Sequence, residues 1–237
     1  MNVFVLQHVP FEGIGIIEKL LDERHAKISY VRFFKSDVQL PELDEVDMII
    51  AMGGPMSIND EKTYPWLAEE KSFIRAAITK QIPVLGICLG AQLIASIYGA
   101  EVRKSANTKI GWFPIRGIYQ GVGKLSFPYE TTVLHWHGET FMMPDSGSLL
   151  AFSETCLNQA FQIGTNVIGL QFHPEITRED LQTLLDECSD ELEPGPYIQT
   201  EAELLDVPEE WFTNSHNLMN EVLSYLLDCN EQHTNAA

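Results

Sequence analysis

A chain of 237 residues with 45% hydrophobic and 21% charged side chains is long enough to bury a sizeable core, and we read residues 1–237 as one domain. Its formal net charge of −19 argues against nucleic acid or an anionic membrane as partner, because both would repel it. Four cysteines (Cys88, Cys156, Cys188 and Cys229) lie far apart with no CxxC or CxH pair, which disfavours a zinc site or disulfide framework and suits reduced thiols in the cytoplasm.

The opening residues carry no basic region, and their apolar run is too short for a signal peptide. No stretch approaches the ~18 apolar residues of a membrane span. Residues 2–6 read as a first buried strand, and residues 14–24 have helical spacing at Ile16, Ile17, Leu20 and Leu21. Residues 28–34 and 46–51 read as further strands. This alternation implies a parallel sheet with helices on both faces, a fold that binds ligands beyond the carboxyl ends of its strands.

Directly after the third strand comes Gly53-Gly54-Pro55. Such triplets are usually turn punctuation, but missing side chains also let backbone N–H groups approach a ligand. Residues 66–80 form an amphipathic helix with Trp66, Phe73, Ile74 and Ala77 inward. Residues 82–85 are an apolar run without alternation, a buried strand of the parallel kind. It runs into Gly86-Ile87-Cys88-Leu89-Gly90, and residues 91–98 read as helix. A glycine-flanked cysteine between strand and helix has the form of a nucleophile elbow, with cysteine in place of serine. The helix N-terminus favours its thiolate. Taken alone, the stretch equally fits a small buried hydrophobe.

Beyond residue 98, short strand-like runs at 112–115 and 131–134 suggest a small antiparallel portion. A polar cluster, His135-Trp136-His137-Gly138-Glu139, follows the second. Its two histidines at i and i+2 have no third ligand nearby, so lining a pocket is favoured over binding a metal. Residues 149–153, 159–163 and 167–172 read as strands, with Gly164-Thr165-Asn166 as a hairpin turn. The last ends in Gln171-Phe172-His173-Pro174-Glu175. Thr177 then caps a helix reaching residue 188. The acidic residues 186–210 read as a solvated surface excursion, and residues 211–230 as a closing helix.

A cysteine nucleophile needs an imidazole and a group to orient it. His173 ends a buried strand, with Glu175 two residues on. Together, Gly53-Gly54-Pro55, Gly86 to Gln92 and Gln171 to Glu175 resemble, in order, the motifs of the class I glutamine amidotransferases. The chain looks most like stand-alone proteins similar to the glutaminase domain of GMP synthase. The resemblance implies an α/β three-layer, flavodoxin-like fold with a mostly parallel sheet.

It also implies a mechanism. Cys88 attacks the glutamine side-chain amide to give a γ-glutamyl thioester, His173 is general acid and base, and Glu175 orients it. The N–H groups of Gly54 and Leu89 form the oxyanion hole, while Gln92, Trp136, His137, Gly138 and Glu139 contact the substrate. No P-loop or other ATP site is visible and no cofactor or metal is expected, so either a separate synthetase partner accepts the ammonia or the chain simply hydrolyses a γ-glutamyl bond. A γ-glutamyl peptidase would use the same triad. A non-catalytic glutamine-binding regulatory subunit would have no use for it.

Overall fold

The structure is a computed structural model that describes residues 1–119, 121 and 124–234, with side chains from 229 onward, Cys229 included, outside the description. Among the described residues nine strands make one sheet: β1 (Asn2–Gln7), β2 (Lys27–Arg32), β3 (Met48–Ala51), β4 (Val84–Ile87), β5 (Val102–Gly117), β6 (Thr131–Phe141), β7 (Gly147–Phe152), β8 (Ala160–Ile163) and β9 (Val167–Leu170). Their spatial order is β2-β1-β3-β4-β9-β8-β7-β5-β6. The run from β2 to β9 is parallel. From β9 to β6 the pairing is antiparallel.

The central strands β3, β4 and β9 are four-residue apolar runs buried at every position, as strands covered on both faces must be. Successive side chains enter opposite cores. Leu85 and Ile87 of β4 pack with α1 (Ile16–Asp22) and α6 (Glu209–Thr234) through Ile17, Leu21, Val222 and Leu226. Val84 packs on the other side with α2 (Trp66–Thr79) and α3 (Leu89–Ile97), through Leu67, Ile74 and Ile94. Helix, sheet, helix makes three layers. The fold is α/β and flavodoxin-like.

Two expectations need correction. The runs at 112–115 and 131–134 are parts of a long hairpin, in which β5 and β6 pair from Val102↔Phe141 to Ile115↔Thr131 with a register shift between Lys104 and Lys109. The cluster 135–139 therefore lies within β6 and does not follow a strand. Polar side chains had masked the pattern, because one face of this hairpin lines a cavity.

The acidic segment is more than solvated surface. Its backbone pairs with β5, with Ile110 N–H donating to Tyr197 O at 2.9 Å and Gln199 N–H to Ile110 O at 2.8 Å. Leu204, on α5 (Glu201–Leu205), is fully buried in a third apolar cluster with Trp112, Leu134 and residues of α4 (Arg178–Cys188). Composition registers the carboxylates of this segment but not its buried apolar anchors.

Lys109, on β5, is 3% exposed, and its ammonium donates to Ser153 Oγ at 3.1 Å. Burial pushes its pKa down to about 8 from 10.5. The unfolded chain thus binds more protons between those values, and stability rises with pH across that window. At pH 7 the buried charge costs roughly 3 kcal/mol. Lys109→Met is expected to raise the thermal midpoint at pH 7, with the gain shrinking towards pH 10. A variant less stable than wild type at both pH values would contradict this.

Candidate active site

The three sequence motifs meet because their strands are neighbours. Gly53 follows β3, Cys88 follows β4 and His173 lies just past β9, and these strands are adjacent and parallel. Their carboxyl ends therefore share one edge. Cys88 N–H donates to Leu170 O at 2.7 Å, and Gly90 N–H donates to Met52 O at 3.0 Å. The elbow is thus tied to the strand on either side.

Cys88 adopts φ 51° and ψ −105°, a conformation that a residue with a side chain rarely takes. Gly90 is required for close approach, because a Cβ there would overlap the Ala51 carbonyl. As the N-cap of α3, Cys88 sits where unpaired N–H groups stabilise negative charge. Neither the Leu89 nor the Gly54 N–H has an acceptor among the described residues.

His173 Nδ1 lies 2.8 Å from Glu175 Oε1, both residues being almost wholly buried. Burial by itself would lower the His173 pKa. The Glu175 carboxylate and hydrogen bonds to Cys88 and Glu175 outweigh it and hold the imidazole well above its usual value. The turn carrying Glu175 is pinned on both sides. Its carbonyl accepts from Ile16 N–H at 2.9 Å, and Thr177 caps α4 through a reciprocal pair with Asp180. The Cys88 sulfur lies 3.6 Å from Trp136 O and 3.8 Å from Gln171 Nε2.

These groups open onto a cavity of about 520 Å³. Gly54, Cys88, Gln92, Trp136, His137, Gly138, Glu139 and His173 all line it, whereas Leu89 and Glu175 lie behind its wall. Gln92 Nε2 donates to Glu139 O and to Gln171 Oε1, each at 3.3 Å. His137 Nδ1 is 3.0 Å from Glu139 O, so that nitrogen carries the proton and Nε2 is a buried acceptor without a partner. Burial pushes the His137 pKa down to about 3, which keeps the ring neutral. Among the described residues, no cluster of three or more metal-ligating side chains occurs.

Several lining residues escaped the sequence reading. Ser57 donates to Glu139 Oε2 at 2.9 Å, and its nearness to Gly53-Gly54-Pro55 was the available signal. Glu12 lines the cavity beside Gly53, with burial raising its pKa against the pull of His173 and His8. Glu191, from the acidic segment, accepts from Trp136 Nε1 at 2.9 Å. No local pattern pointed to either carboxylate.

The family model for glutamine amidotransferase class-I matches residues 14–189, which is most of the chain. The chain belongs to the class I glutamine amidotransferases. This amidotransferase is 33% identical to the glutamine amidotransferase-like protein YfeJ of Salmonella typhimurium, over 96% of each chain. It is 30% identical to one subunit of the glutamine-hydrolysing GMP synthase of Saccharolobus solfataricus, over 69% of this chain and 89% of that one. Among solved structures it resembles a glutamine amidotransferase from Thermotoga maritima, with TM-score 0.87, 30% identity and coverage of 95% and 97%. Another, from Methylobacillus flagellatus, has TM-score 0.89 at 28% identity, with coverage of 96% and 94%. No helix among the described residues is long and apolar enough to cross a membrane.

The amidotransferase has three described thiols, all free and buried, and their surroundings differ. Cys188 is pushed up to about 12, first by burial and then by the nearby Glu191 and Glu12 carboxylates. Cys88 alone of the three acts on His173, helping to hold that ring above its usual pKa. With iodoacetamide at pH 7, peptide mass spectrometry is expected to find Cys88 alkylated first and Cys188 more than about 100-fold slower. Equal rates at the two sites would rule out an activated Cys88.

Proposed function

We propose that the amidotransferase hydrolyses the side-chain amide of glutamine through a thioester on Cys88. The observation that carries this reading is the buried His173–Glu175 hydrogen bond of 2.8 Å beside a cysteine at the head of a helix. The Cys88 thiolate adds to the amide carbon, and the carbonyl oxygen takes the charge. The N–H groups of Gly54 and Leu89, free of internal acceptors, receive that oxyanion.

His173 then passes its Nε2 proton to the amide nitrogen, the carbon–nitrogen bond breaks, and ammonia leaves. The same imidazole takes a proton from water as the hydroxyl attacks the thioester, which releases glutamate and restores the thiolate. Glu175 keeps the Nδ1–H aimed and balances the imidazolium. The substrate ammonium finds the Glu139 carboxylate and the lone pair of His137 Nε2, beside Gln92, Trp136 and Gly138. Three free thiols fit a reducing compartment such as the cytoplasm.

The likeness to a component of GMP synthase supports ammonia transfer to a separate synthetase. A second reading, hydrolysis of a γ-glutamyl amide with a larger amine, is favoured by the cavity. Its 520 Å³ falls in the range of about 300–1,000 Å³ that holds ligands bigger than one amino acid. The deciding assay measures glutamate and amine release from glutamine and from a γ-glutamyl dipeptide, with Cys88→Ala as control. Turnover of glutamine that drops by at least about 10⁴-fold in Cys88→Ala is expected. Faster turnover of the dipeptide would select the second reading. Unchanged release in Cys88→Ala would end both, and binding of glutamine without turnover would make the chain a regulatory subunit.

A further inference from the structure

His8 and Glu70 take no part in these steps, yet both are buried beside the cavity. His8, just past β1, is 2% exposed, and Glu70, on the inner face of α2, is wholly enclosed. His8 Nε2 lies 2.9 Å from Glu70 Oε1, and its Nδ1 lies 2.9 Å from the carbonyl oxygen of Gly53. A main-chain carbonyl and a carboxylate are both acceptors only. The carbonyl fixes a proton on Nδ1, and Glu70 across the other nitrogen holds the His8 pKa above its usual value against the opposing pull of burial. Stacking against Phe33 and Trp66, at centroid distances of 5.7 and 5.4 Å, fixes the plane of the ring.

A buried ion pair is a poor source of stability, so its position is the informative part. The main-chain group that it grips belongs to the Gly53–Gly54 peptide. That unit is planar and trans, so its C=O and N–H point in opposite directions. With the carbonyl turned onto His8, the Gly54 N–H is turned away from it, towards the cavity that Gly54 lines. Two flanking glycines offer no Cβ to resist rotation of this peptide. The Gly54 N–H has no acceptor among the described residues to anchor it. The carbonyl bond to His8 is what sets the direction of the N–H.

We propose that the His8–Glu70 pair is a positioning clamp that locks the Gly53–Gly54 peptide with its N–H facing the oxyanion. The inference rests on the amide-hydrolysis reading above and holds for glutamine and γ-glutamyl amides alike. His8 touches no substrate. It acts through the peptide, so its loss falls on the transition state and not on substrate binding.

The test compares two double variants that both remove the buried charges. His8→Asn/Glu70→Gln keeps an N–H donor for the Gly53 carbonyl, whereas His8→Leu/Glu70→Met has none. Replacing a buried pair with apolar residues is often neutral for folding, and a thermal midpoint within a few degrees of wild type checks this. The donor-lacking variant is expected to lose about 10²-fold in kcat with KM unchanged, the usual cost of one oxyanion donor. Alkylation of Cys88 by iodoacetamide needs no oxyanion donor and is expected to keep its wild-type rate.

The donor-keeping variant is expected to stay within about fivefold of wild-type kcat. Crystal structures of the two variants give a readout independent of turnover, with the peptide retained in the first and rotated in the second. Equal kcat losses in both, a donor-lacking variant that keeps kcat and peptide orientation, or one that cannot fold would each overturn the clamp. If wild type shows no Cys88-dependent turnover, the amide-hydrolysis reading fails, and the peptide orientation alone decides for or against the clamp.

Discussion

The structure depends on a strained turn held from two sides. Cys88 sits at positive φ, which costs on the order of 1–3 kcal/mol for a residue with a side chain. Its own N–H is bonded to the end of β9, and the N–H of Gly90 is bonded to the residue after β3. Each bond contributes about 1 kcal/mol, and the close approach of Gly90 to Ala51 leaves the helix no room to move further in. Cys88 is therefore a fixed point of the central sheet. The neighbouring strand ends, which carry Gly53-Gly54 and His173, are registered to it by the same ladder.

Charge in the site is set by partners more than by depth. Four histidines lie fully buried around it, and burial pushes every one of them towards neutrality. His8 and His173 each have a carboxylate 2.9 and 2.8 Å away, and both are held above the ordinary value. His135 and His137 face Lys109 instead of a carboxylate, and both are held below it. One residue type is thus pushed in opposite directions within a single apolar setting. His137, which lines the cavity, keeps a lone pair on Nε2 with no partner among the described residues.

The antiparallel half of the sheet serves a different purpose. It turns the long β5–β6 hairpin over the strand ends, so that main chain and side chains of 136–139 become a wall. The acidic segment adds to this wall, held by backbone pairing to β5, by Leu204 and by the bond from Trp136 to Glu191. The catalytic edge is common to the parallel core, whereas the walls come from what is added to it. Differences in substrate within the family are accordingly to be sought in these walls.

Much of this was legible in the chain itself. Uninterrupted apolar runs identified β3, β4 and β9 because both faces of those strands are buried, and glycines at strand ends marked the places where backbone approaches backbone. Cys88, His173 and Glu175 stood out for the same reason, since each lies within two or five residues of such a run. Three carboxylates were hidden, among them Glu191, which only the fold brings to Trp136. Glu70 falls on the apolar stripe of α2, three residues from Leu67, where a charge reads as an exception to the pattern. Glu12 is an unremarkable loop residue.

The sequence determined the layered parallel core, the elbow and the family, because those follow from local patterning and short motifs. Only the tertiary structure decided which partner each buried charge has, that residues 135–139 are strand, and that an acidic segment walls the cavity. Those facts depend on contacts between residues far apart in the chain, such as Trp112 with Leu204, 92 positions on. Periodicity reports which face of an element is buried, but it carries no record of what that face meets.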